Sequence, residues 1–316
     1  MLDVYKKTHE DNSLRRCEVT TSEIQTGSWL NIIAPKPNDI PKLAQELNIP
    51  EYFIIDSLDI NERPRVEIED EGILIIYRIP VYEEKENEST FYTIPLGIIL
   101  KKDYIITVCQ KPTEILYEFI NGNVKDFYTS KRSRFILQII SISLKYYLNY
   151  IKEIDKRIYE VEQEFYRDMK DDTLIKLMRL ERSLHIFLTS LRGNELLLEK
   201  IQKAKIIRMY EEDEDILDDI IIENKQAIEM ASVFVYNIKS LSDYFSSIIS
   251  NRLNSVMKFL TSVTIILMFP TLVASLYGMN VNLPLQNHPF AFWIILIISL
   301  VGTSIVTIYF IKKRWL

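Results

Sequence analysis

Seven polar or sulfur-bearing side chains recur along one apolar run near the C-terminus: Asn254, Met257, Thr261, Thr264, Met268, Thr271 and Ser275. Their spacings alternate between three and four residues, so a helix with a repeat of about 3.5 residues places all of them on one face. Such a row suits two tasks. It can be a seam against another helix, where small residues let backbones approach, or it can line a water-filled path. The run ends in Tyr277-Gly278-Met279-Asn280. Gly278 lets the backbone turn at a helix end and present a carbonyl with no side chain in the way, and Asn280 adds a neutral amide oxygen.

The elements that must position these groups are membrane helices. No charged residue falls between Phe259 and Tyr277, and at about 1.5 Å per residue this length approaches the roughly 30 Å of a hydrocarbon layer. The segment Val281 to Phe290 is uncharged and contains Pro284 and Pro289, and a second apolar run follows from Ala291 to Ile311. Arg252 and Lys258 precede the pair and Lys312, Lys313 and Arg314 follow it, so the positive-inside rule places both termini in the cytoplasm. Two spans cannot enclose an aqueous path, so a pore lined by this stripe requires several copies of the chain.

Tyr277-Gly278-Met279-Asn280 between two C-terminal membrane helices, with Leu58-Asp59-x-Asn61-Glu62-Arg63-Pro64-Arg65 far upstream, resembles the CorA family of divalent-cation channels. The resemblance covers most of the chain. It implies a homopentamer in the cell membrane, multi-pass, that carries Mg2+ and has Co2+ or Ni2+ as further candidate ions. It also implies a selectivity filter at Tyr277, Gly278, Met279 and Asn280. Asn254, Met257, Leu260, Met268 and Thr271 would line the pore, with rings of Met257, Leu260 and Met268 apolar enough to exclude water when narrowed; Leu260 lies off the polar stripe. One departure concerns the outer mouth. Many members carry an acidic residue there, whereas Val281 to Phe290 has none. Two other readings stay open: a zinc (Zn2+) transporter of the same family, and a membrane-tethered regulatory domain that conducts nothing.

Asp218, Asp219 and Glu223 lie within about a turn of one another on a helix, and like charges so close are costly unless a cation or basic group sits between them. A solvated acidic face is the plain alternative. The resemblance implies regulatory Mg2+ bound between neighbouring subunits, with Asp219 in the matching place. Its partner would come from Glu67, Glu69 or Asp70 of the next copy.

The remaining sequence frames this site. The chain has 316 residues, 47% hydrophobic and 26% charged, and its net charge of −6 argues against nucleic acid as a partner. Cys17 and Cys109 show no metal-ligand spacing and read as reduced thiols. His9, His185 and His288 are isolated. No phosphate-binding glycine loop, His-x-x-x-His pair or nucleophile elbow marks an enzyme. Residues 1–122 alternate short β-rich and helical runs and read as an α/β cytoplasmic domain. Hairpins are expected at Val66 to Ile79, and at Phe91 to Leu100 with Tyr104 to Cys109. Between Asn123 and Phe269 there is no proline and one glycine, Gly193, which permits long helices over about 131–167, 173–209 and 215–276. Breaks are expected at Asp168 to Thr173 and at the acidic run Glu211 to Asp215. Residues 123–252 thus form a helical bundle and stalk, 253–277 the first span, 278–290 the outer loop, 291–311 the second span and 312–316 a basic tail. A second heptad stripe, Ala227, Ala231, Phe234, Ile238, Leu241, Phe245 and Ile248, reads as packing against the preceding helices.

Overall fold

The computed structural model describes residues 2–7, 14–17, 24–85, 88–168, 171–281, 283–285 and 288–315. His9, the Met169-Lys170 pair inside the expected break, and Asn282, Gln286 and Asn287 of the connecting loop lie outside these residues. The chain divides into two compact units, Met1–Ser240 and Leu241–Leu316.

The first unit is built on a sheet whose described strands run in the order β2 (Arg15–Cys17), β1 (Leu2–Lys6), β3 (Trp29–Ile33), β7 (Ile105–Cys109), β6 (Glu88–Leu100), β5 (Gly72–Lys85) and β4 (Arg65–Glu69). All neighbours are antiparallel except the central pair β3 and β7, where Leu30 faces Ile106 and Ile32 faces Val108. Alternation along β3 decides which helices cover which face. Leu30 and Ile32 join a core with α1 (Ile40–Leu47) and α2 (Glu51–Leu58), including Ala44, Leu47, Phe53 and Ile54. Trp29 points the other way. Its ring meets Phe119 of α3 (Glu114–Ile120), Phe127, and Phe135 of α4 (Arg132–Asp168), and its indole N–H donates to Thr107 Oγ1 at 2.9 Å. Thr107 in turn donates to Asn31 Oδ1 at 2.9 Å.

Three long helices follow: α4, α5 (Asp171–Ala204) and α6 (Glu211–Tyr277, 67 residues). On α4 the buried positions Ile140, Leu144, Tyr147, Ile151, Ile154, Ile158, Val161 and Phe165 alternate spacings of four and three, and Leu177, Leu180, Leu184, Phe187, Leu191, Leu198 and Ile201 of α5 keep the same period. These two stripes close on one another and on the sheet. The α6 stripe is graded: Ala227, Ala231, Ile238 and Phe245 are buried, while Phe234, Leu241 and Ile248 are half-buried. Within the first unit, Asn224 donates to the Leu191 carbonyl at 3.1 Å and so ties α6 to α5.

Boundaries differ from the sequence expectation in three places. The α5 helix stops at Ala204, where Lys205 takes a left-handed φ of 46°. The run Glu211 to Asp215 is helix rather than turn, because acidic groups in a first turn favour the positive end of the helix dipole. Arg134 also holds that turn, with its guanidinium 2.7 Å from Asp213 and 2.8 Å from Glu212. Finally, besides the two expected hairpins, β4 with β5 and β6 with β7, a third and longer antiparallel pairing joins β5 and β6 from Ile73–Leu100 out to Lys85–Glu88.

Candidate ion-conduction site

The second unit holds the last part of α6 and α7 (Ala291–Lys312), and both helices are long and apolar enough to cross a membrane. Their contact is decided by Gly302. A Cβ there would stand 2.0 Å from Cε1 of Phe269, so the bare backbone of α7 receives that ring. The α6 residues withdrawn from solvent share the face of Phe269: Ser262 is buried, and Val263, Ile266, Pro270 and Val273 are half-buried. On α7 the matching set is Ser299, Gly302, Thr303, Val306, Thr307 and Phe310.

The stripe singled out in the sequence lies elsewhere on α6. Asn254, Met257, Thr261, Thr264, Met268, Thr271 and Ser275 are all exposed in the single chain, as is Leu260. It is therefore not the seam with α7, and its partner is water, lipid or another copy. The hydroxyls have a defined polarity. Thr264 donates to the Leu260 carbonyl at 2.8 Å and Thr271 to the Leu267 carbonyl at 3.0 Å, which leaves their oxygens as acceptors. Pro270 interrupts the ladder beside them, since it has no N–H for the Ile266 carbonyl.

At the end of α6 the backbone closes tightly. Gly278 N–H reaches the Ala274 carbonyl at 2.9 Å and Ser275 at 3.3 Å, and Met279 N–H reaches Leu276 at 3.4 Å. Gly278 lies in the turn that ends α6 without a positive φ, and a Cβ there would meet the Ala274 carbonyl oxygen at 3.3 Å, a close approach that adds to the turn as a reason for glycine. Tyr277, the last residue of α6, and Gly278, Met279 and Asn280 beyond it are all exposed. His288, in the loop, accepts the Phe290 N–H on Nδ1 at 3.3 Å.

The acidic residues of α6 separate. Asp218 accepts Gln202 Nε2 at 2.6 Å, Asp219 is exposed, and Glu223 is half-buried with Oε2 lacking a hydrogen-bond partner. No group of three or more metal-binding side chains comes together among the described residues, so a cation site at Asp219 needs groups from a second chain. Of the three candidate partners, Glu67 is paired with Arg65 at 2.7 Å and Glu69 accepts Tyr52 Oη at 3.0 Å. Asp70 is exposed at the turn between β4 and β5.

The upstream motif Leu58 to Arg65 proves to be a packing device. Arg65 pairs with Asp56, Glu62 and Glu67. Burial raises the Asp56 carboxyl above its usual value against the pull of Arg65. Pro64 Cγ would lie 2.9 Å from a Cβ on Gly193, which explains the one glycine of the long helices. Arg78, which the sequence reading passed over, binds the carbonyls of Ile60 at 2.9 Å, Glu62 at 2.8 Å and Thr93 at 2.8 Å, and the Ser190 hydroxyl at 3.2 Å. It had no spacing signal because its partners, three backbone carbonyls and the hydroxyls of Thr93 and Ser190, are brought together by the fold.

Comparison with known proteins agrees with this architecture. The family profile described as CorA-like Mg2+ transporter protein matches residues 25–313. The cobalt/magnesium transport protein CorA of Methanocaldococcus jannaschii is 25% identical over 298 residues, 91% of each chain. The protein of the same description from Thermotoga maritima is 24% identical over 297 residues, 92% of this chain and 84% of that one. The solved structure of the M. jannaschii CorA magnesium transporter superposes with a TM-score of 0.84 at 23% identity, covering 100% of this chain and 99% of that one. With a family profile spanning nearly its whole length and the same fold from first strand to last membrane helix, this chain belongs to the CorA-like Mg2+ transporter family.

Proposed function

We propose that the chain conducts Mg2+ across the cell membrane as a homopentamer, through a path lined by the exposed stripe of α6, with both termini in the cytoplasm. The observation that carries this reading is the placement of the stripe. Membrane-depth polar groups need partners, and these point away from the one helix that could have covered them. Around a symmetry axis, five copies would present Asn254, Thr261, Thr264, Thr271 and Ser275 as acceptor oxygens facing water. Tyr277, Gly278, Met279 and Asn280 would form the filter, with neutral oxygens binding a largely hydrated ion. The membrane potential supplies about 2.3 kcal/mol per charge per 100 mV for inward movement. Met257, Leu260 and Met268 would close the path by dewetting. Co2+ and Ni2+ fit the same hydrated-ion chemistry.

Regulation is proposed at the subunit boundary. Asp219, with Asp218 and Glu223 beside it, would share Mg2+ with a carboxylate of the next copy, drawn from Glu67, Glu69 or Asp70. Bound cation holds the ring shut, and its loss leaves facing carboxylates to repel. The test is flux of Mg2+, Co2+, Ni2+ and Zn2+ into proteoliposomes holding the full chain. Saturable Mg2+ entry competed by Co2+ is expected. Zn2+ entry without Mg2+ entry would move the chain to the zinc reading, and absence of flux for all four ions would overturn conduction. Cysteine placed at Asn287 should be labelled from outside, and labelling from the cytoplasmic side alone would reverse the topology.

A further inference from the structure

Beyond Asp243 the sequence contains no aspartate and no glutamate, yet it contains Arg252, Lys258, Lys312, Lys313 and Arg314. The second unit therefore carries basic charge almost without an acidic residue to balance it. The Phe269–Gly302 contact shows where that charge collects. Lys258 stands eleven residues before Phe269 and Lys313 eleven residues after Gly302, so on two antiparallel helices of equal rise they reach the same level. Buried Ser262 and buried Phe310, on the same register, agree. Lys258, Lys312, Lys313 and Arg314 are all exposed, and no ion pair engages them among the described residues.

The tail is folded to hold its cations at this level. Trp315 N–H reaches back to the Phe310 carbonyl at 3.1 Å and Arg314 N–H to Ile311 at 3.0 Å, the paired bonds of a Schellman helix end. The Trp315 ring stacks on Phe310 with centroids 5.5 Å apart and planes 24° from parallel. The residue in the left-handed position, where glycine is cheapest, is Arg314, with φ of 56°. An arginine thus occupies a position that costs it more than a glycine, beside a tryptophan of the kind enriched at membrane interfaces. The other end of the helix pair differs: residues 278–290 have no charged side chain.

We propose that Lys258, Lys312, Lys313 and Arg314 form a site for the phosphate-bearing headgroup of an anionic phospholipid, with Trp315 as its wall at the interface. Four cations in the headgroup layer, on a unit with no acidic residue beyond Asp243, select a lipid of opposite sign, and the site stands apart from ion conduction along the stripe. Carboxylates of a second copy are the rival source of counter-charge.

The test uses the full chain with Trp293→Phe, so that Trp315 is the remaining membrane-level tryptophan and buried Trp29 a constant background. Reconstituted in phosphatidylcholine vesicles, it is titrated with phosphatidylglycerol brominated near the carbonyl end of its acyl chains, or with phosphatidylcholine brominated at the same place. Stronger quenching by the anionic lipid at equal mole fraction is expected, weakened by salt. Each of Lys258→Gln, Lys312→Gln and Lys313→Gln should lower that preference about fivefold. Because Lys258→Gln leaves the tail intact, it keeps the test valid where tail variants insert poorly. Equal quenching by the two lipids, or a preference unchanged in all three variants, would overturn the site and leave carboxylates of another copy as the counter-charge.

Discussion

The ring of Phe269 occupies the space that any side chain at Gly302 would need, with Cε1 2.0 Å and Cζ 2.3 Å from the position of a Cβ. Gly302→Ala should therefore cost about 1–3 kcal/mol of helix-pair stability through overpacking. Phe269→Leu in the same chain should recover much of it. Thermal unfolding in detergent checks the pair, and additive losses would show that ring and glycine do not share one space.

Gly193 makes the same kind of contact in the first unit. Gly193→Ala would ordinarily gain up to about 1 kcal/mol of helix propensity. Against Pro64 it should lose stability, and in a Pro64→Ala background it should gain. A gain in both backgrounds, read from the unfolding midpoint, would remove Pro64 as the reason for the glycine.

Asn280 projects beyond the last turn of α6 and touches no core. Asn280→Ala should abolish Mg2+ flux in proteoliposomes while oligomer size and unfolding temperature stay unchanged. Transport at the wild-type rate would remove Asn280 from the filter.

Met257 and Met268 are exposed in the single chain, so shrinking them opens space only within an assembly. Met257→Ala or Met268→Gly should raise basal Mg2+ leak, since a wider apolar ring wets more readily. A lower leak at normal expression would count against an apolar gate.

Asp219 makes no metal cluster with the described residues of its own chain. If a neighbouring copy completes the site, Mg2+ should slow proteolysis of the cytoplasmic region of the wild type, by favouring the state that binds it. In Asp219→Ala and Asp219→Lys both that protection and inhibition by internal Mg2+ should be lost. Variants that keep both would place regulation elsewhere.

Much of this protein is legible in its sequence because the signals are periodic or compositional. Uncharged runs of spanning length, basic flanks, the stripe from Asn254 to Ser275 and the absence of proline between Asn123 and Phe269 follow from helix geometry and solvation alone. The α/β character of the first part followed from alternating short runs. Tertiary structure decided what depends on partners distant in the chain. The parallel pairing of Trp29–Ile33 with Ile105–Cys109 leaves no local mark, because parallel strands are joined through long connections. The acidic start of α6 read as a break, and became the first turn of the helix once Arg134 supplied a counter-charge across 79 positions. Arg78 was silent because its ligands, carbonyls and the hydroxyls of Thr93 and Ser190, come from distant parts of the chain. Which face of the first span packs on α7 was open until Phe269 met Gly302, since only a contact between two helices tells which face of each is left over.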